Sequence, residues 1–200
     1  MPHTTADADN IRVGPGRRRD SARHQAVLDA TRELLREVGY SSVNIDAIAR
    51  RADVSRRLIY RWWRHKAQIV AEVLFDDAAD GIAPDTGTLE GDVRVLVDSV
   101  SRRYMRREMA VGLPGLQADL IADPALTAEV EDRYTRAHID RWDEVLSHAA
   151  ARGEVGHDFD HAAVAHAVVG AISVLTQQQT FRRHRDLTDF VTQFAVSALR

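Results

Sequence analysis

Apolar residues recur at three- and four-residue spacing along nearly the whole chain, with no alternation long enough to make a strand. Such a chain buries its apolar surface by packing helix on helix, so the expected fold class is all-α. Val27, Leu28, Thr31, Leu34, Leu35 and Val38 form the first stripe; Asp20 or Ser21 can cap it and Gly39 should end it. Asn44 can cap a short second helix with Ile45, Ile48, Ala49 and Ala52 inward. Asp53 marks a turn, and Ser55 caps a third short helix whose inner face is Leu58, Ile59 and Trp63. Three helices over roughly 22–63, the last two joined by a tight turn, have the layout of a helix-turn-helix.

A fourth helix is expected from Lys66 through Asp80, with Ile69, Val70, Val73 and Leu74 inward. Gly81, Pro84 and Gly87 then break the pattern and mark a domain boundary. Beyond it, Leu89, Val93, Leu96, Val97, Val100 and Tyr104 make one amphipathic helix. Gly112, Pro114 and Gly115 punctuate, and Leu116, Leu120 and Ile121 open another. Asp123 and Pro124 start a long helix that runs to Gly153; Asp158 or Asp160 opens the next, from Ala162 to about Gln179; Asp186 opens the last. The expected units are a flexible basic tail (1–20), a three-helix helix-turn-helix head (21–66), a linker helix (67–83) and a helical-bundle body (84–200).

Composition closes off several alternatives. The chain has no cysteine, which removes disulfide scaffolds, thiolate nucleophiles and cysteine-based metal sites. The polar first twenty residues contain no apolar signal core, and the longest apolar stretch, Ala162–Leu175, includes His166 and is too short to span a bilayer. A cytoplasmic location without membrane contact is expected. The charge is divided sharply. Residues 12–66 carry 14 basic and 6 acidic side chains, a net of +8, while the remainder nets −11. A polyanion partner is therefore expected for the first part alone. Arginine outnumbers lysine 26 to one, which fits a GC-rich coding sequence as well as guanine and phosphate recognition.

The base-reading face follows from the third helix. With Leu58, Ile59 and Trp63 turned in, Arg56, Arg57 and Arg61 point out at positions suited to base edges. Ser55 can serve as cap and as base or phosphate contact together. Four stretches carry a resemblance: Glu37-Val38-Gly39-Tyr40, Ile48-Ala49 with Ala52-x-Val54-Ser55, Ile59-Tyr60-x-Trp62-Trp63, and Lys66. Through them residues 22–75 resemble the TetR family of transcriptional regulators. The resemblance implies that Asn44, Tyr60, Trp62 and Lys66 touch DNA phosphates, contacts that fix register. It extends to the body only in helix layout, length and the Arg152-Gly153-Glu154-Val155 turn. Asp53 stands where the family usually has Gly, Arg57 where a small residue is common, Asn44 in place of a common Thr, and Arg64-His65 in place of a Pro-Ser-like pair.

The body offers weaker signals. Tyr104, Met105, Met109, His138, Trp142 and His166 are the candidate pocket residues, with Phe181 a further apolar candidate. His157 and His161 have a spacing that can bind zinc, but among Asp158 and Asp160 they read as solvated caps, and no metal or cofactor is expected. No nucleophile motif or glycine-rich phosphate loop occurs. The penultimate helix is apolar almost all round, with a small-residue stripe of Ala163, Ala167, Gly170 and Ala171. A helix apolar on every side needs cover. The resemblance implies that it and the last helix, with Phe190 and Phe194, pair with their copies in a homodimer.

The expected function is a ligand-responsive regulator, a repressor released from a palindromic operator in double-stranded DNA by a small apolar or aromatic effector. An effector-independent architectural DNA binder and an all-α enzyme or carrier stand as alternatives.

Overall fold

A computed structural model describes residues 15–75, 81–155 and 160–200, Pro15–Arg19 as backbone only. All regular structure among the described residues is helical. The head comprises α1 (Pro15–Ser42), α2 (Ile45–Arg51) and α3 (Arg56–Trp62), and α4 (Lys66–Phe75) leads to the body. The body comprises α5 (Leu89–Tyr104), α6 (Arg107–Ala122), α7 (Pro124–Val130), a π-helical turn (Glu131–Thr135), α8 (Arg136–Ala151), α9 (His161–Gln177) and α10 (His184–Leu199).

The first helix starts earlier than the sequence suggests. Pro15 opens it, because a fixed φ and a missing N–H suit a first turn. Arg17, Arg18 and Arg19 therefore belong to α1 rather than to a tail; residues 1–14 lie outside the described set. Gly39 breaks the helix at φ 70°, as its position predicts. The linker helix departs at its far end. Residues 81–83 are not helical, Gly81 has φ 139°, and 76–80 lie outside the described residues.

The pattern misleads most at Gly112, Pro114 and Gly115. These residues do not separate two helices; α6 runs straight through them. The glycines serve close packing instead. A Cβ at Gly115 would come within 3.0 Å of three side-chain atoms of Tyr40, and one at Gly112 would meet Leu74 at 3.3 Å. The two glycines let α6 lie against α1 and α4, and Arg36 clamps the same contact by donating twice to Glu108 at 2.9 and 3.0 Å. Ile121, read with Leu116 and Leu120 as the opening of a new helix, lies near the end of α6 and is 85% exposed. The long helix after Asp123 is also interrupted, by the π turn.

One apolar core runs from α1 through α4 into the body. Residues 67–74 of α4 are all buried, Gln68 and Glu72 included, because α1, α6 and α7 pack around the helix. In the body, α10 lies on α5, and α9 on α8 and α5. The Arg152–Val155 turn ties the end of α8 to the start of α5. Glu154 accepts the Leu89 N–H at 2.7 Å, and Arg152 pairs with Glu154 and with the fully buried Asp92 at 3.1 Å. Among the described residues, no helix is long and apolar enough to cross a membrane.

Candidate nucleic-acid interface and effector cavity

The turn between α2 and α3 is closed by its own backbone. Asp53 sits at φ 51°, the Val54 N–H donates to Ala49 at 3.0 Å and the Asp53 N–H to Arg50 at 3.4 Å. This pair of bonds is the Schellman arrangement that ends a helix on a left-handed residue. Aspartate tolerates that conformation better than most residues, so the position usually held by Gly keeps its geometry. Asn44 caps α2 by accepting the Ala47 N–H at 2.9 Å, and Ser55 caps α3 by accepting the Leu58 N–H at 3.2 Å.

Buried Ile59 and Trp63 fix the roll of α3. That leaves Arg56, Arg57, Tyr60 and Arg61 exposed on one outer face. Arg56 rests on Asp46 at 2.9 Å and Arg61 on Asp20 at 2.8 Å, while Arg57 has no ion pair among the described residues. Both pairs are open to solvent and worth about 0–1 kcal/mol, so a base edge can displace them. Trp62 is half-buried in a cluster with His24 and Trp63, centroids 5.3 and 5.5 Å away. Lys66 donates to the carbonyls of Tyr40 (3.1 Å) and Val43 (3.3 Å) and lies over the Tyr40 ring. It therefore braces the head as well as lending it charge.

Inside the body, a cavity of about 110 Å³ lies between α4, α5, the π turn, α8 and α9. Phe75, Val100, Tyr104, Tyr134, Ile139 and Val169 supply its apolar wall, and Arg103, His138 and His166 its polar points. Trp142 donates to His138 at 3.2 Å, so the accepting nitrogen of His138 is Nε2. Burial, reinforced by Arg141, Arg103 and His166, pushes the His138 pKa from its usual 6.5 to about 4, which leaves the ring neutral. Burial also raises the Tyr104 pKa.

Two family models match the chain, one described as bacterial regulatory proteins of the tetR family, over 27–73, and one as a tetracyclin repressor-like C-terminal domain, over 83–189. The chain belongs to the TetR family of transcriptional regulators. It is 32% identical over 146 residues to an uncharacterized HTH-type transcriptional regulator, YdeS, of Bacillus subtilis, across 72% of this chain and 73% of that one. It is 31% identical over 147 residues to a DNA-binding transcriptional repressor TetR of Mycobacteroides abscessus, across 71% and 75%. Its fold is similar to that of the regulator FadR of Bacillus subtilis in complex with stearoyl-CoA, with TM-score 0.64, 14% identity and coverage of 88% and 100%. The protein is thus a DNA-binding transcriptional regulator and not an enzyme.

The structure brings Ser55, Arg56, Arg57, Tyr60 and Arg61 onto one surface, with Asn44 exposed at the neighbouring helix start. Of the six expected pocket residues, Tyr104, His138 and His166 line the cavity, and His166 is exposed at its rim rather than enclosed. Trp142 stands behind His138; Met109 is buried in the core away from the cavity, and Met105 is not on its wall. Phe181 packs on Phe190, centroids 5.3 Å apart. His161 lies 2.7 Å from Asp143, while His157 and Asp158 fall outside the described residues. Ala163, Ala167, Gly170, Phe190 and Phe194 are exposed and Ala171 half-buried, with Val174 on the same open face. Sequence reasoning missed Tyr134, Gln68 and Glu72. The last two are the polar residues, four apart, of the otherwise apolar stretch 67–75 of α4, which was the available signal.

Proposed function

We propose that this regulator is a repressor that binds a near-palindromic operator as a homodimer and leaves it when a small molecule enters the body. One observation carries the reading: α3 is locked by Ile59 and Trp63 and turns Arg56, Arg57 and Arg61 outward as a set. Those arginines with Ser55 read bases; Asn44, Tyr60, Trp62 and Lys66 hold phosphates. Residues 21–66 act as the reader, α4 as the link and 84–200 as the sensing and pairing unit. The open apolar face of α9 and α10 supports pairing with a second copy, which would set two recognition helices about one helical turn of DNA apart.

The cavity supports an apolar or aromatic effector of modest size. An apolar cavity of ~150 Å³ holds benzene, so about 110 Å³ suits a single ring or short chain. A ligand as large as the stearoyl-CoA held by FadR would need the helices around the cavity to part. The effector must favour the conformer that fails on DNA, since a ligand indifferent to the two shifts nothing.

The test is selection of bound fragments from random and genomic DNA by purified protein, repeated across salt concentrations. An enriched inverted repeat supports the dimeric, operator-binding part of the reading, and loss of a reporter's repression when the protein is absent supports its sign. Binding with no enriched sequence that simply falls with salt supports an architectural role instead.

A further inference from the structure

Glu72 is a carboxylate on α4 that is 4% exposed and engages three other parts of the molecule. The Trp63 indole N–H, at the end of the recognition helix, donates to Oε2 at 2.8 Å. The Tyr134 hydroxyl, on the π turn, donates to the same oxygen at 3.2 Å. Arg133, the preceding residue, lies 3.5 Å from that oxygen as well. His24 of α1 meets Oε1 at 3.1 Å, with its ring against Trp63 at 4.5 Å between centroids. Tyr134 is also a wall of the body cavity, beside Phe75.

We infer that Glu72 is the positioning residue that couples the cavity to the recognition helix. The inference rests on the regulatory reading above and names the atoms that would carry its response. A molecule in the cavity touches Tyr134. One hydrogen bond beyond lies the oxygen that holds Trp63, and Trp63 sets the roll of α3. Tyr134 and Trp63 share a single acceptor, so displacing one changes the bond to the other. The site is buried, where hydrogen bonds to a charge are strong and their loss is costly. Gln68 is the contrast. It joins α4 to Glu129 of α7 at 2.8 Å and accepts from the Arg64 and His65 backbone, but it does not line the cavity. It holds the head without sensing the cavity.

The test uses full-length protein and needs no effector. Tyr134→Phe removes one hydroxyl and leaves the ring in the wall. In amide and indole NMR, the Trp63 Nε1–H signal, assigned through Trp63→Phe, should move downfield in Tyr134→Phe as its bond to Glu72 strengthens. In a Glu72→Gln background the same substitution should leave it nearly unmoved. The probe for the cavity is Val169→Phe, which fills it. Coupling between sites is commonly 5–150-fold, so Val169→Phe should weaken operator binding about tenfold, and less than threefold when combined with Tyr134→Phe. A Trp63 signal unmoved by Tyr134→Phe, or a Val169→Phe effect absent or equal in both backgrounds, overturns the relay. If Glu72→Gln fails to fold, the Tyr134→Phe and Val169→Phe arms decide alone. Failure to select any operator overturns the regulatory reading, whereas the Trp63 signal still reports on the relay itself.

Discussion

At the residue scale, identity and environment together decide what a charged group does. Arg56, Arg57 and Arg61 lie on the solvent side of α3, held at most by exposed carboxylates, so they remain available to DNA. Joint replacement of Arg56 and Arg57 by Ala should cost about 1–3 kcal/mol of discrimination per lost base contact and flatten preference at two positions of each half-site. Repeating the fragment selection with the double variant checks this; unchanged preference would place the reading face elsewhere. Tyr60→Phe should instead weaken all sequences alike. His138 shows the opposite case, an imidazole kept neutral by burial beside Arg141, Arg103 and His166. The unfolded chain takes up a proton as pH falls through 6.5, but the folded one does not until about 4. Stability therefore falls with pH across that window, by a few kcal/mol at most for a gap of about 2.5 units. His138→Gln keeps an acceptor for Trp142 and should lose less stability than wild type between pH 7 and pH 4.5 in urea unfolding. Parallel losses would count against this account.

At the element scale, the contact between α1 and α6 joins head to body. Tyr40 fills the groove at Gly115, its hydroxyl donates to Asp119 at 2.5 Å, and burial with that carboxylate raises its pKa. Gly115→Ala has no room for its methyl group and should destabilise by about 1–3 kcal/mol. The urea midpoint measures it, and an unchanged midpoint would show that α6 can lift from α1 freely. The head should then respond less to the body, since the surface that transmits movement has been pried open.

At the scale of the whole molecule, α9 and α10 lie side by side and each leaves apolar residues open to solvent. Val174, Phe190 and Phe194 are about half exposed, and Gly170 faces open space. Replacing Phe190 and Phe194 by Asp removes within one chain only the contact of Phe190 with the half-buried Phe181 ring, so the fold should survive. Sedimentation should show a monomer, and operator affinity should drop by at least tenfold because two linked half-sites bind far more tightly than one. A dimer that persisted would move the pairing surface off these helices.

The sequence by itself determined the helical class, the caps at Asn44 and Ser55, the left-handed turn at Asp53 and the inward set Ile59 and Trp63. These are short-range matters: spacing around a helix, one side chain bonding a backbone N–H three residues on, one φ value. The outward arginines follow from the same periodicity. The tertiary structure decided the rest. Gly112 and Gly115 read as breaks because local propensity says nothing of a helix pressed against α1 from more than sixty residues away. Met109 and Trp142 read as pocket residues because periodicity marks a side chain as inward without saying whether it faces a filled core or a void. Glu72 was invisible as a junction for the same reason. Its partners come from positions 24, 63, 133 and 134, and their meeting at one carboxylate is set by how the helices cross, which no local pattern encodes.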